Sequence, residues 1–126
     1  MVVTMSQLVA FHQGNASFSG RVLPLKGAFK INRIKKDTEK DFTFYQEKLR
    51  EILDKHAKKD EDGNIKFSDD GEQILIKDGE VEECSKELAD LETMEVEIDN
   101  YDLNIDELGD IECTPEELEI LMPFFS

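Results

Sequence analysis

A long stretch without proline follows Pro24, and within it side chains of similar character recur every three or four residues. This spacing places them along one side of an α-helix. Proline is favoured in a first helical turn because its missing N–H has no partner there. The pattern predicts one helix over residues 24–57, about 50 Å long at the standard rise per residue. Its stripe, apolar at both ends and polar in the middle, consists of Ala28, Ile31, Lys35, Thr38, Phe42, Tyr45, Leu49, Ile52 and His56.

A rod of that length exceeds the diameter of a compact domain of 126 residues. Two arrangements are therefore open. The helix projects and pairs with a partner, or it breaks near residues 36–38, where Asp37 or Thr38 can cap a second helix and give a helical hairpin. Gly27 weakens the first turn by about 1 kcal/mol relative to alanine.

A β-hairpin is predicted after this helix. Three Asp-Gly pairs occur at eight-residue intervals, beginning at Asp62, and such pairs indicate turns. Between them, apolar and polar residues alternate as they do in half-buried strands. We therefore predict strands at residues 64–68 and 72–77.

A third strand is predicted where Met94, Val96 and Ile98 alternate with acidic residues. The apolar face would lie on a core, and the carboxylates would point outward. Residues 80–92, which precede this strand, have helical spacing.

Short helices are predicted at both ends of the chain. Thr4 and Gln7 can form a capping box for a helix over residues 4–13, although Val2, Val3 and residues 8–11 also suit strand pairing. Residues 103–112 favour one helical turn that ends at a glycine. Near the C-terminus, threonine, proline and glutamate in the sequence TPEE mark another helix start.

The sequence thus predicts an α+β fold in a single domain, residues 1–126. It comprises an N-terminal segment (1–22), a long helix or helical hairpin (24–57), and a small acidic α+β part (64–126). The last part holds an antiparallel sheet of about three strands and short closing helices.

Charge is separated along the chain. Residues 1–36 hold six bases and no acid, whereas residues 37–126 hold thirty acids and nine bases. These segments carry +6 and −21 and give the net charge of −15. Such asymmetry favours binding or assembly over catalysis. Strong negative charge also disfavours direct binding to nucleic acid.

The hydrophobic pattern gives an expectation for the cellular location of the protein. No apolar run approaches the ~20 residues of a membrane span, and the N-terminus lacks the charged start of a signal peptide. We expect a protein of the host cytoplasm or of a virion. Cys84 and Cys113 are predicted to be small buried hydrophobic residues, with a disulfide or an exposed thiol as alternatives.

The sequence shows no pattern for catalysis, a cofactor or a metal. A nucleophile elbow and phosphate-binding glycine loops do not occur. Asp60, Asp62, Gly63 and Ile65 match part of a calcium-binding loop, but Lys58 stands where the first ligand is needed. We interpret this segment as a turn between helix and hairpin.

Two stretches, LPLKGAFKINRIKKDTEKDFTFYQEKLREILDKHAKKDEDGNIKF and MEVEIDNYDLNIDELGDIECTPEELEILMPFF, carry a resemblance. Over residues 23–125 the chain resembles a family of small uncharacterised proteins of tailed phages and prophages of Gram-positive bacteria. The resemblance implies a phage origin. It implies no catalytic residue, because the shared motifs are structural.

Two functions are compatible with these features. The first is a non-enzymatic phage protein that acts through protein–protein contacts in the virion or its assembly, with a phage structural protein or its own copy as partner. The second is an acidic DNA mimic that inhibits a basic host nucleic-acid-binding or defence protein. The candidate partner-binding residues are Phe42, Tyr45, Leu49, Ile52, Glu95, Glu97 and Asp99.

Overall fold

The computed structural model describes residues 1–15 and 21–125. The described residues form five α-helices and a two-stranded antiparallel sheet, so the predicted α+β class is confirmed. The elements are β1 (Val2–Thr4), α1 (Met5–Gly14), α2 (Leu25–Asp37), α3 (Glu39–His56), α4 (Val81–Glu92), β2 (Glu95–Glu97) and α5 (Pro115–Leu121). Two compact units are present: unit 1 contains Met1–Thr43 and Met94–Ser126, and unit 2 contains Phe44–Thr93.

The sheet of unit 1 joins the start of the chain to β2. Val3 lies opposite Val96 in the antiparallel register, and the Met5 N–H donates to the Met94 carbonyl over 2.8 Å. Helix α1 follows β1 directly, and its first turn has the predicted capping box between Thr4 and Gln7. The predicted helix is therefore confirmed, and Val2 and Val3 lie in a strand, but the alternative strand pairing of residues 8–11 is wrong because they are part of α1.

The predicted continuous helix over residues 24–57 is wrong, because α2 ends at Asp37 and α3 begins at Glu39. Between them, the buried Thr38 has φ −103° and ψ 4°. Its hydroxyl donates to the Ile34 carbonyl over 2.7 Å, a bond that commonly bends helices. The alternative prediction of a break near residues 36–38 is confirmed, with a second helix that starts directly after Thr38.

The C-terminal part of unit 1 contains a 3-10 turn at Ile105–Leu108, helix α5, and a C-terminal 3-10 turn at Met122–Phe124. The turn at Ile105–Leu108 ends at Gly109, as predicted. Thr114 caps α5 through the predicted box with Glu117. The core of unit 1 consists of buried side chains from these elements and from the first two helices: Val3, Met5, Leu8, Val9, Phe11, Ile31, Ile34, Tyr101, Leu103, Leu108, Leu121 and Phe124.

Unit 2 contains no regular strand among its residues. Isolated antiparallel bridges join Phe67 to Ile74, Lys59 to Ile65, and Ala57 to Ile76. The predicted pairing of residues 64–68 with 72–77 is reduced to a single bridge, so the sheet of about three strands is wrong. The predicted helix over residues 80–92 is confirmed as α4.

The two cysteines differ in environment. Cys84 is buried on α4, as predicted, whereas Cys113 is exposed. Both are free thiols, so the disulfide alternative is wrong. Burial raises the pKa of the Cys84 thiol, which makes it an inert packing residue.

Candidate functional site

An acidic pocket of about 410 Å³ lies in unit 1. Its size falls within the range of about 300–1,000 Å³ typical of ligand sites, but most such sites are apolar. Here four of the lining residues are carboxylates, which favours a cationic occupant. The acidic pocket is lined by Met1, Asp37, Asp41, Glu97, Ile98, Asp99 and Tyr101.

Neighbouring elements of unit 1 bring these carboxylates together. Asp37 ends α2 and Asp41 lies in the first turn of α3, while Glu97 ends β2. The strand is held by β1, and the Met1 ammonium donates to the Ile98 carbonyl over 2.8 Å. Groups about sixty residues apart in sequence therefore line one pocket.

One wall of the acidic pocket is fixed by Tyr101. Its hydroxyl donates to Asp37 Oδ2 over 3.0 Å, and the residue is buried. Burial, followed by the bond to Asp37, raises the pKa of Tyr101 to about 12. The phenol stays protonated at neutral pH and acts as a fixed donor. Arg33 Nε lies 3.8 Å from the same Asp37 oxygen.

The other three carboxylates of the acidic pocket have no such compensation. Among the described residues, no lysine or arginine forms an ion pair with Asp41, Glu97 or Asp99. Glu97 and Asp99 are exposed, and Asp41 is half-buried. Negative charge concentrated in a concave site attracts a cation more strongly than the same charge spread over a surface.

Several N-terminal bases pair instead with acids of the C-terminal segment. Lys30 Nζ lies 2.8 Å from Glu107 Oε1, and its ammonium lowers the pKa of that carboxyl. Arg21 Nη2 lies 2.8 Å from Glu117 Oε2. These pairs neutralise part of the basic block within unit 1 without using the carboxylates of the acidic pocket.

Phe42, predicted to bind a partner, packs within unit 1. The His12 ring stacks on it with a centroid distance of 4.6 Å and an interplanar angle of 3°. His12 Nε2 lies 2.7 Å from the Thr38 hydroxyl. Because that hydroxyl donates to Ile34, His12 must donate to it, so Nε2 carries a proton.

The two histidines should titrate on opposite sides of their usual pKa of 6.5. Burial, followed by Lys35, lowers the pKa of His12, against smaller opposing effects of Glu39 and Asp41. A bond to Glu87 raises the pKa of His56. Neutral His12 contributes fully to the stability of the fold above pH 6.5, and this contribution is lost as the pH falls through its lowered pKa. Charged His56 contributes fully below pH 6.5, and this contribution is lost as the pH rises through its raised pKa.

An NMR titration of the imidazole protons measures both values. The chain has two histidines, and His12→Gln, which keeps a donor for Thr38, assigns the remaining signal to His56. Two rings that both titrate at 6.5 would contradict the described environments.

Three of the other predicted partner-binding residues belong to unit 2. Tyr45, Leu49 and Ile52 are half-buried residues of α3 in unit 2, and burial raises the pKa of the Tyr45 phenol. Glu95 is exposed on β2 but does not line the acidic pocket. Of the seven candidates, the structure brings Glu97 and Asp99 together in one pocket.

The segment that resembles a calcium loop forms a turn. Asp60 Oδ1 accepts from the Asp62 and Asn64 amides, each over 2.9 Å. Gly63 has φ +83° and supplies the left-handed position. Backbone donors thus engage the carboxylate that the loop would offer to calcium.

A second polar cluster lies in unit 2 around His56, the last residue of α3. The side chain is fully buried. Nδ1 lies 3.1 Å from Glu80 Oε1, and Nε2 lies 2.8 Å from Glu87 Oε2. Both ring nitrogens face carboxylates, so this arrangement suits an imidazolium, which can donate to each of them.

Sequence reasoning missed Asp37 and Asp41 as site residues, because nothing in the sequence links them to a strand near residue 97.

No helix among the described residues is both long and apolar enough to span a membrane. No protein-family model, curated protein or solved structure matches this chain.

Proposed function

We propose that this chain is a non-enzymatic phage protein that acts through protein–protein contacts in the virion or its assembly. Its acidic pocket receives a lysine- or arginine-rich segment of the partner. The observation that carries the proposal is a set of three carboxylates in one concave site, Asp41, Glu97 and Asp99, none of which pairs with a lysine or arginine of the described residues. The phage setting depends on the sequence resemblance alone.

The chemistry of the acidic pocket favours a basic side chain over a nonpolar ligand. A lysine or arginine that enters it exchanges water for several carboxylate acceptors and reduces their mutual repulsion. The Tyr101 hydroxyl is already engaged by Asp37, so the rim is ordered before the partner arrives. Preorganisation of this kind lowers the entropic cost of binding.

Calorimetry with an unstructured arginine-rich peptide tests the proposal. Replacing Asp41 and Asp99 by asparagine should weaken binding about tenfold, since each exposed charge pair contributes about 0.2–1 kcal/mol. Affinity should also fall with added salt.

A control variant separates the acidic pocket from overall charge. Asp110→Asn with Glu119→Gln removes two exposed acids of unit 1 outside the acidic pocket, and it should leave the affinity within about twofold of the original protein. Equal losses in the two double variants would contradict a specific pocket.

The same carboxylates also favour an alternative, an acidic DNA mimic that inhibits a basic host protein, because carboxylates can occupy phosphate-binding positions of such a protein. The two functions differ in competition. A DNA mimic must displace duplex DNA from its partner, whereas an assembly protein binds a phage structural protein without that displacement.

A further inference from the structure

We propose that His56, Glu83 and Glu87 form a binding site for a divalent transition-metal ion in unit 2, with zinc as the best fit. This site is separate from the acidic pocket and does not depend on the proposed docking function. One ligand atom from each of the three residues lies within 4.8 Å of the others.

The spacing of the donor atoms suits a metal. His56 Nε2 and Glu87 Oε2 lie 2.8 Å apart, whereas two tetrahedral zinc ligands at about 2.0–2.1 Å from the ion are separated by about 3.3 Å. The ion therefore requires the carboxylate to move by less than about 1 Å. Glu83 supplies the third donor from one turn earlier on α4, on the same face as Glu87.

The environment of His56 also matches that of a metal ligand. Its ring is fully buried and its Nδ1 is held by Glu80 Oε1. Metal-bound histidines almost always donate their second ring nitrogen to a carboxylate or carbonyl, which fixes the ring orientation. Glu80 is the residue that precedes α4 and is not one of the three proposed ligands. It can therefore keep its contact with Nδ1 while the other three residues bind the ion.

The local charge allows a cation to enter. Lys55 Nζ lies 3.0 Å from Glu87 Oε1 and 3.8 Å from Glu83 Oε1. Its side chain is 58% exposed, so it can turn to solvent while the ion takes its place. The ion also takes the place of the proton on His56 Nε2, which is released to solvent, while Nδ1 keeps its proton for Glu80. Glu80, Glu83 and Glu87 then retain a positive partner.

The donor set selects among metals. Imidazole nitrogen favours zinc, nickel and copper, whereas magnesium and calcium prefer sites made of oxygen alone. One nitrogen and two carboxylates leave a fourth zinc position open for water. The arrangement thus has the ligand number of an open zinc site, and Co²⁺ can serve as its spectroscopic probe.

The test uses the full chain after treatment with chelator, titrated with Co²⁺ by absorption and with Zn²⁺ by calorimetry. One ion per chain is expected, with visible absorption of four-coordinate Co²⁺. Glu83→Gln should reduce the affinity at least tenfold. Glu82→Gln, which removes the neighbouring exposed acid of the same helix turn, should change it less than twofold.

Two results would overturn the proposal: no saturable Co²⁺ binding at millimolar concentration, or the same affinity in the Glu82 and Glu83 variants. The decisive comparison avoids His56, because replacing a buried imidazolium can unfold unit 2. Glu83 is exposed and has a single long contact to Lys55, so its variant should keep the fold, and circular dichroism verifies this.

Discussion

Replacing Phe124 by alanine is expected to destabilise unit 1 by about 3–5 kcal/mol. The side chain is fully buried, and its ring packs on Phe11 with a centroid distance of 5.0 Å and a 55° tilt. Its removal loses the transfer free energy of the ring and leaves a cavity that the surrounding core only partly fills. Since small proteins are stable by about 5–15 kcal/mol, the change is a large fraction of the total.

Urea unfolding followed by circular dichroism measures this effect. The matched control is Phe29→Ala on α2, where the phenylalanine is 62% exposed, and its change should stay within about 0.5 kcal/mol. Similar unfolding midpoints for the two variants would show that the C-terminal 3-10 turn does not hold the core of unit 1.

Gly27→Ala is expected to destabilise unit 1 by about 1–3 kcal/mol, although helix propensity alone predicts a gain of about 1 kcal/mol. A Cβ at this position of α2 would lie 2.0 Å from the Glu107 carbonyl oxygen and 2.9 Å from its carbon. The obstacle is backbone, which cannot rotate away as a side chain can. The helix and the 3-10 turn would have to separate.

Thermal unfolding of Gly27→Ala beside Asn32→Ala tests this expectation. Asn32 is exposed on the same helix, so alanine there should stabilise slightly through propensity. An increase in melting temperature for both variants would contradict the close approach between α2 and Glu107.

The predictable parts of the fold are those that depend on neighbouring residues. Capping boxes at Thr4 and Thr114 are local hydrogen-bond patterns, and both are present. The sequence left two possibilities open for residues 24–57, and the break near residues 36–38 is the one present. At the break, Thr38 also contacts His12, twenty-six residues away. Helical periodicity carries no information about such a contact.

The errors in the sheet have a similar cause. Asp-Gly pairs located the turns of unit 2, but residues 57–59 take part in the bridging as well: the Lys66 amide donates to the Lys58 carbonyl, and the Lys58 amide donates to the Leu75 carbonyl. The segments are therefore joined by isolated bridges. The pairing of β1 with β2 spans nearly the whole chain, and alternation identifies a strand without identifying its partner.

Two of the four carboxylates that line the acidic pocket were predicted from the sequence. Glu97 and Asp99 were identified because their carboxylates alternate with apolar residues near β2. Asp37 and Asp41 lie on either side of the interruption between α2 and α3, so their contribution depends on how that interruption packs within unit 1.

The central claim is that the acidic pocket, rather than negative charge in general, binds a basic partner. The most direct measurement is a two-dimensional NMR titration of the labelled protein with an arginine-rich peptide. Saturable shifts concentrated at the amides of residues 37–41 and 97–101, weakened by salt, are predicted. Shifts spread evenly over the acidic residues, or largest in unit 2, would contradict the account.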